Sequence, residues 1–245
     1  EADRVAIGAL MTIFELSQKD LIGEYFPALR EALEATSCET LQMRGTVGGN
    51  LLQDTRCLFY NQSEFWRRAK GPCVKTGGDS CHVTGSGRCL SNYASDLAPS
   101  LLTLGASLRL IGPEGEREIT LEELFSGDGA KPFNLKPGEI LCEILLPKRV
   151  TKGGYEKLRL RGSIDYPLLG VALSMADGKG RLSVGAVGPK PTVWDFESEG
   201  IDLVAEKAPQ GLQAIGNTVL DPSYRRNMAE VFSRRLIQRV LKGGQ

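Results

Sequence analysis

The sequence predicts an α+β chain, with helices near both ends and antiparallel hairpins between them. Three observations carry this reading. Apolar residues recur at helical spacing from Leu21 to Leu33 and from Tyr224 to Val240. Between these stretches, short apolar runs alternate around glycine turns. A long polar, glycine-rich segment from Arg44 to about Ser95 interrupts the first half. The 245 residues allow one large domain or two small ones, and a 41% hydrophobic, 24% charged composition is that of a folded globular protein. Thirty Lys+Arg balance 30 Asp+Glu, so the basic footprint of a nucleic-acid binder is absent and no such partner is expected. Apolar runs fall short of the ~18 residues that span a bilayer, so no membrane partner is expected either. The opening Glu1-Ala2-Asp3-Arg4 has neither the basic nor the apolar region of a leader. The expected compartment is therefore the cytoplasm, where six cysteines do not imply a disulfide framework.

Taken in order, Arg4 to Ala9 reads as a strand leading into a helix from Thr12 to Ser17. A second helix starts at Asp20, a suitable N-cap, and runs to Thr36 with Leu21, Tyr25, Phe26, Leu29 and Leu33 on one face and a kink at Pro27. After the polar segment, Asp96 caps a helix that carries Pro99 in its first turn and ends at Gly105. Ala106–Ile111 and Glu116–Thr120 form a hairpin around Gly112-Pro113-Glu114-Gly115, and Thr120 with Glu123 makes a capping box for a short helix. Strands follow at Glu139–Leu146, Tyr155–Leu160, Tyr166–Met175 and Arg181–Val187. The last helix sets Tyr224, Met228, Val231, Phe232, Leu236 and Val240 on its buried face and Arg225, Arg226, Arg234, Arg235 and Arg239 on a solvated one. A boundary in Pro147–Thr151 divides the chain into residues 1–150 and 151–245.

The cysteines divide into two groups. Cys38, at a helix end, and Cys142, in an apolar strand, read as small packing residues. Cys57, Cys73, Cys81 and Cys89 lie in a glycine-rich loop that cannot build an apolar core, so something else must order it. A cubane iron-sulfur cluster accepts four such widely spaced thiolates, whereas zinc usually shows a close Cys-x2-4-Cys pair. An iron-sulfur centre, zinc, and disulfides or free thiols all stay open on spacing alone. His82, beside Cys81, reads as exposed rather than as a ligand.

Upstream stands Arg44-Gly-Thr-Val-Gly-Gly-Asn-Leu51, where Gly48 and Gly49 let backbone amides approach an anionic oxygen, with the Thr46 hydroxyl and Asn50 amide as further polar contacts. Alone, the pair of glycines more readily describes a turn or bulge. With Ser95-Asp-Leu-Ala-Pro-Ser100, Gly138–Pro147, Tyr155-Glu-Lys157, Asp165-Tyr166, Val187–Pro191 and Tyr224-Arg-Arg226, the string resembles the FAD-binding medium subunits of the xanthine oxidase, or molybdenum hydroxylase, family. The four-cysteine insertion, with Cys57–Arg67 and Gly78–Val83, is similar to that of the 4-hydroxybenzoyl-CoA reductase branch, whose β subunits carry a [4Fe-4S] cluster there.

The resemblance implies an FAD-binding domain of the vanillyl-alcohol-oxidase (PCMH) type over residues 1–150, interrupted by an iron-sulfur insertion at 57–89. A C-terminal domain of a three-stranded sheet plus helices would follow over 151–245. It implies that Thr46, Val47, Gly48, Gly49 and Asn50 form an FAD pyrophosphate loop, that Asp96 bonds the adenosine part, and that Leu141 and Lys157 lie along the flavin. Cys57, Cys73, Cys81 and Cys89 would ligate the cluster, and no catalytic residue is expected. An earlier Ala-Gly-Gly-Thr type FAD loop of the family would precede Arg4 and is not found here. The implied partners are a molybdenum-cofactor large subunit and a [2Fe-2S] small subunit. Ferredoxin would donate electrons through the cluster and FAD to reductive dehydroxylation of 4-hydroxybenzoyl-CoA. Two rivals are an oxidising hydroxylase acting on an aldehyde, purine or other heterocycle, and a zinc-stabilised interaction module.

Overall fold

Two antiparallel four-stranded sheets organise the computed structural model, which describes residues 3–242. Strand β1 (Arg4–Gly8) is followed by helices α1 (Ile13–Ser17), α2 (Asp20–Tyr25), α3 (Pro27–Ala35), α4 (Glu39–Gln42) and α5 (Val47–Leu51). The cysteine insertion contributes α6 (Glu64–Lys70) and one 3₁₀ turn, Val74–Thr76. Next come α7 (Leu97–Thr103), β2 (Ser107–Gly112), β3 (Gly115–Thr120) and β4 (Ile140–Pro147), which complete the first sheet in the order β1-β4-β2-β3. The second sheet is a meander of β5 (Lys152–Leu158), β6 (Leu169–Ala176), β7 (Lys179–Gly185) and β8 (Thr192–Glu197). Helices α8 (Ile201–Lys207) and α9 (Pro222–Lys242) close the chain.

Alternation of large and small residues in β6 decides how the two halves meet. Leu169, Val171 and Leu173 point to one face, where they join Leu182, Val184, Ala229, Phe232 and Leu236 in a core under α9. Gly170, Ala172 and Ser174 point to the other, where α7 and α3 lie close. On that face Ser174 Oγ is 2.8 Å from Thr103 Oγ1, and a Cβ at the neighbouring Gly185 would come 2.7 Å from Pro99. The small residues therefore admit the helices, and the large ones fill the far side at about 1.5–3 kcal/mol per fully buried side chain. A separate core under the first sheet gathers Ile7, Phe26, Leu29, Leu51, Leu97, Leu108, Leu141 and Ile144.

Four expectations are corrected here. The long second helix is two helices. Phe26 leaves helical geometry at φ −133°, ψ 61°, and Pro27 begins α3 as its first residue. The Thr120–Glu123 capping box does form, with the Thr120 amide 2.7 Å from Glu123 Oε2 and the Glu123 amide 3.3 Å from Thr120 Oγ1. Turns rather than a helix follow it, tied down by the Phe125–Phe133 bridge. The C-terminal sheet has four strands, not three. β8 begins just after Pro191 at the sheet edge, where a proline costs no ladder bond. On α9 the faces are rotated from the expected ones: Arg225 is fully buried, while Tyr224 and Val231 are exposed. Its Nε donates to Leu168 O at 3.0 Å and its guanidinium also reaches Ala186 O, so the helix is anchored by carbonyls at the ends of β6 and β7. Burial without a carboxylate partner lowers the Arg225 pKa to about 10. Cys38 and Cys142 are half-buried. Among the described residues, no helix is long and apolar enough to cross a membrane.

Candidate functional site

The glycine loop folds into α5, capped by Thr46, whose Oγ1 accepts the Gly49 amide at 3.0 Å. The neighbouring amides are also engaged: Val47 N donates to Met11 O at 2.9 Å and Gly48 N to Ala9 O at 2.8 Å. A Cβ on Gly48 would lie 2.9 Å from both Ala9 Cβ and Ala9 O. Gly48 lets the loop pack on the end of β1, and both glycine amides have partners within the protein. Asn50 Oδ1 accepts the Ser95 hydroxyl at 2.6 Å and the Leu97 amide at 3.4 Å, joining the loop to the start of α7.

Asp96, expected to cap α7, does not use its side chain there. Ser95 does so instead, through its hydroxyl and the Ala98 amide at 3.0 Å. The Asp96 carboxylate turns toward β5, accepting from Lys157 Nζ at 3.0 Å and from Tyr155 OH at 2.9 Å. The Lys157 and Asp96 side chains are only 3% and 6% exposed, so this is a buried ion pair. Burial pushes the Asp96 carboxyl above its ordinary value, an effect that Lys157 only partly offsets; burial and the Asp96 charge push the Tyr155 phenol well above its usual range. Leu141 lies in β4, opposite Leu110 and buried in the first core, with α5 packed on the same strand. The structure thus gathers Thr46–Asn50, Asp96, Leu141 and Lys157 in one region. Tyr155 and Ser95 join this region through Asp96 and Asn50; the sequence placed both in the resembling strings but assigned neither a role.

Cys57, Cys73, Cys81 and Cys89 line one cavity, with Phe59, Tyr60, Val74, Lys75, His82, Leu90 and Ile215 between them. All six cysteines are free thiols, so the disulfide alternative is not realised. Among the described residues, no group of three or more His, Cys, Asp or Glu side chains is arranged to hold a metal ion, the four cysteines included. Burial pushes the Cys57 thiol up. It does so at Cys81 too, but hydrogen bonds from Thr84 and Val83 outweigh it and hold Cys81 below the usual thiol value. His82 is exposed, with Nε2 3.1 Å from Gly71 O. The insertion closes on an Arg56–Asn92 bridge with amide-to-carbonyl distances of 2.7 and 2.8 Å. Buried Asn217, which sequence reasoning missed, ties this base to the C-terminal half: it accepts from Asn92 Nδ2 at 2.9 Å and donates to Leu90 O at 3.1 Å.

Residues 1–149 match the family described as the FAD binding domain in molybdopterin dehydrogenase. The chain belongs to that family. Among relatives, it is 32% identical over 238 residues to the aldehyde oxidoreductase FAD-binding subunit PaoB of Escherichia coli (strain K12), covering 91% of this chain and 72% of that one. It is 27% identical to the carbon monoxide dehydrogenase medium chain of Afipia carboxidovorans, covering 98% and 75% of the two chains. Solved structures share the fold. Reconstituted CO dehydrogenase from Oligotropha carboxidovorans superposes with a TM-score of 0.74 at 22% identity, covering 98% of this chain and 76% of that one. Quinoline 2-oxidoreductase from Pseudomonas putida 86 does so with a TM-score of 0.71 at 19% identity, covering 99% and 76%. Membership of the molybdopterin dehydrogenase FAD-binding family excludes the interaction-module reading of the chain as a whole.

Proposed function

We propose that this chain is the electron-transfer subunit of a molybdenum-dependent oxidoreductase, holding FAD in residues 1–150 and a [4Fe-4S] cluster in the 57–89 insertion, with 151–245 as its C-terminal domain. The observation that carries the reading is that four cysteines from separate turns meet at one cavity, within a family fold whose polar loop residues gather nearby. Four thiolates are the number and type of ligand that a cubane cluster takes, and their wide spacing in the chain, without a close Cys-x2-4-Cys pair, favours it over zinc. For FAD, the Thr46 and Asn50 side chains and the Asp96–Lys157 pair supply polar contacts, and the Gly49 amide becomes available once it exchanges Thr46 for phosphate. FAD would supply two-electron exchange divided into single-electron steps, while this chain orients it, excludes water and tunes the potentials through hydrogen bonds and charge.

The substrate would sit on a large molybdenum-cofactor subunit, reached through a [2Fe-2S] small subunit. The insertion strings support a 4-hydroxybenzoyl-CoA reductase role with ferredoxin as donor. The similarity to the aldehyde oxidoreductase subunit supports the second reading, an oxidising hydroxylase. The anaerobically purified complex separates the two. Dehydroxylation of 4-hydroxybenzoyl-CoA by a low-potential donor fits the first, and bleaching of the flavin by an aldehyde fits the second. For the chain itself, flavin bands with broad iron-sulfur absorption are expected; a colourless protein with stoichiometric zinc refutes the reading. Cys73→Ser should abolish the iron-sulfur absorption, and wild-type iron content in that variant removes Cys73 from the ligand set.

A further inference from the structure

Cys89 is the one buried member of the four cysteines, 7% exposed, and a chain of buried polar groups stands behind it. Its Sγ lies 3.1 Å from Ser91 Oγ, and Ser91 Oγ lies 2.7 Å from Thr55 Oγ1. Thr55 Oγ1 accepts from Lys75 Nζ, which also donates to Thr55 O at 3.1 Å and to Asp54 Oδ1 at 2.6 Å. Ser91 and Thr55 are 2% and 1% exposed and the Lys75 side chain 5%, whereas its counter-ion Asp54 is 55% exposed. The ammonium therefore faces the interior and its carboxylate partner faces water. The carbonyl of Gly129 lies 2.6 Å from Thr55 Oγ1 and 3.2 Å from Ser91 Oγ. A Cβ at Gly129 would come 2.5 Å from Ser91 Oγ and 3.1 Å from Cys89 Sγ, so only glycine leaves room for this arrangement.

Donor arithmetic fixes the polarity of the chain. An ammonium only donates, so Thr55 Oγ1 must accept from Lys75. A sulfur bound to iron only accepts, so the Ser91–Cys89 contact is a hydrogen bond when the single Ser91 proton points to Cys89 at 3.1 Å rather than to Gly129 O at 3.2 Å. Thr55 then has its one proton for Ser91 or for Gly129 O. With the first choice, every dipole from Lys75 to Cys89 turns its positive end toward the sulfur. The contacts at the other three cysteines are different: Thr84 and Val83 at Cys81, backbone amides at Cys57, and Thr76 Oγ1 at 3.6 Å from Cys73 Sγ.

We propose that Lys75, Thr55 and Ser91 form a polarised hydrogen-bond relay that stabilises negative charge at Cys89 and so raises the reduction potential of the cluster in the insertion. The proposal rests on the iron-sulfur reading above. Hydrogen bonds to ligand sulfurs and nearby buried charge both act in this direction, because an added electron spreads onto the thiolates. Lys75, Thr55 and Ser91 are positioning residues that act through Cys89.

The test is a redox titration of the assembled complex, followed by the electron paramagnetic resonance signal of the reduced cluster, with iron content measured alongside. Ser91→Ala and Lys75→Met should each shift the reduced-to-oxidised ratio at fixed potential about tenfold toward oxidised, about 59 mV for a one-electron couple. Lys75→Arg should restore most of the loss. The Ser91→Ala/Lys75→Met double variant should fall by less than the sum of the two single shifts, because a relay already cut at Ser91 leaves only the direct effect of the Lys75 charge to lose. Thr55→Val, which does not touch the sulfur, should shift the potential the same way and carries the test if Ser91→Ala loses iron. An unmoved potential with full iron, or fully additive shifts, overturns the relay alone. A wild-type complex with no iron on this subunit overturns the cluster reading and the relay with it.

Discussion

Gly48 and Gly49 are adjacent, both helical, and unequal in what surrounds them. A methyl group at Gly48 meets the Ala9 backbone, which cannot retreat without shifting β1, whereas one at Gly49 meets only the Thr46 hydroxyl. Gly48→Ala should therefore cost about 1–3 kcal/mol in urea unfolding, the usual range for overpacking. Gly49→Ala should be nearly neutral, since the gain in helix propensity, about 0.5–1 kcal/mol, offsets a small side-chain shift. Equal losses in the two variants would refute this assignment of roles. The sequence showed that this loop matters, because paired glycines after Thr46 are legible as a constrained backbone. It did not show which partner imposes the constraint, since Ala9 is remote in sequence. Asp96 is a similar case: it is a good cap by residue type, but the buried Lys157 outcompetes the helix amides for its carboxylate, and that competition depends on packing between α7 and β5.

At the scale of elements, the β2–β3 hairpin is fastened to the approach of β4 by Arg117. Its Nε lies 2.6 Å from Glu139 Oε1 and its Nη2 lies 2.8 Å from Oε2, and Glu139 also accepts the Lys136 amide at 2.7 Å. Hydrogen bonds from Arg117 hold the Glu139 carboxyl down at about 2, from an ordinary 4.5. A carboxyl depressed in the fold contributes stability above its unfolded pKa and loses it as pH falls toward its folded one. The window is thus from about 4.5 down to about 2. Over that window the stability gap between wild type and Glu139→Gln should close as pH falls. A gap that is constant in pH would show that the pair does no electrostatic work. Elements were legible where the local pattern and the tertiary demand agreed, as in the Gly112–Gly115 hairpin turn and the apolar run of β4. They were misread where the two competed. The helical period ran on through Phe26 because side-chain spacing does not register a backbone break. Arg225 was assigned to solvent because charge usually decides that question, and here two sheet-end carbonyls decide it instead.

Across the whole molecule, the insertion is secured at its base as well as through Lys75 in its middle. Asn217 from the C-terminal half and the Gly188 backbone, which accepts the Tyr93 amide at 2.9 Å and donates to Asn92 Oδ1 at 3.0 Å, grip the strand that leaves it. Asn217→Ala removes two buried hydrogen bonds, at about 1–3 kcal/mol for each partner left bare. Trypsin cleavage at Arg67, Arg68 and Lys70 should then speed up about tenfold or more, with 1.4 kcal/mol corresponding to tenfold when opening is in rapid equilibrium. Unchanged cleavage would show that the base is held by other contacts. None of this grip was visible in the sequence, because Asn92, Gly188 and Asn217 meet only after both sheets have formed.

The Arg56–Asn92 bridge has a consequence for how such a protein acquires or discards its insertion. Since the two ends already meet in a single antiparallel bridge, the frame outside them holds the same closed ends whatever length of chain lies between. Loop-closure cost rises only slowly with length, by about 0.6 kcal/mol per doubling. The insertion therefore hangs on a fixed socket: segments far from it can change length at little closure cost, whereas Lys75 and Cys89, which reach back to Asp54, Thr55 and Gly129, cannot be exchanged without loss to the frame.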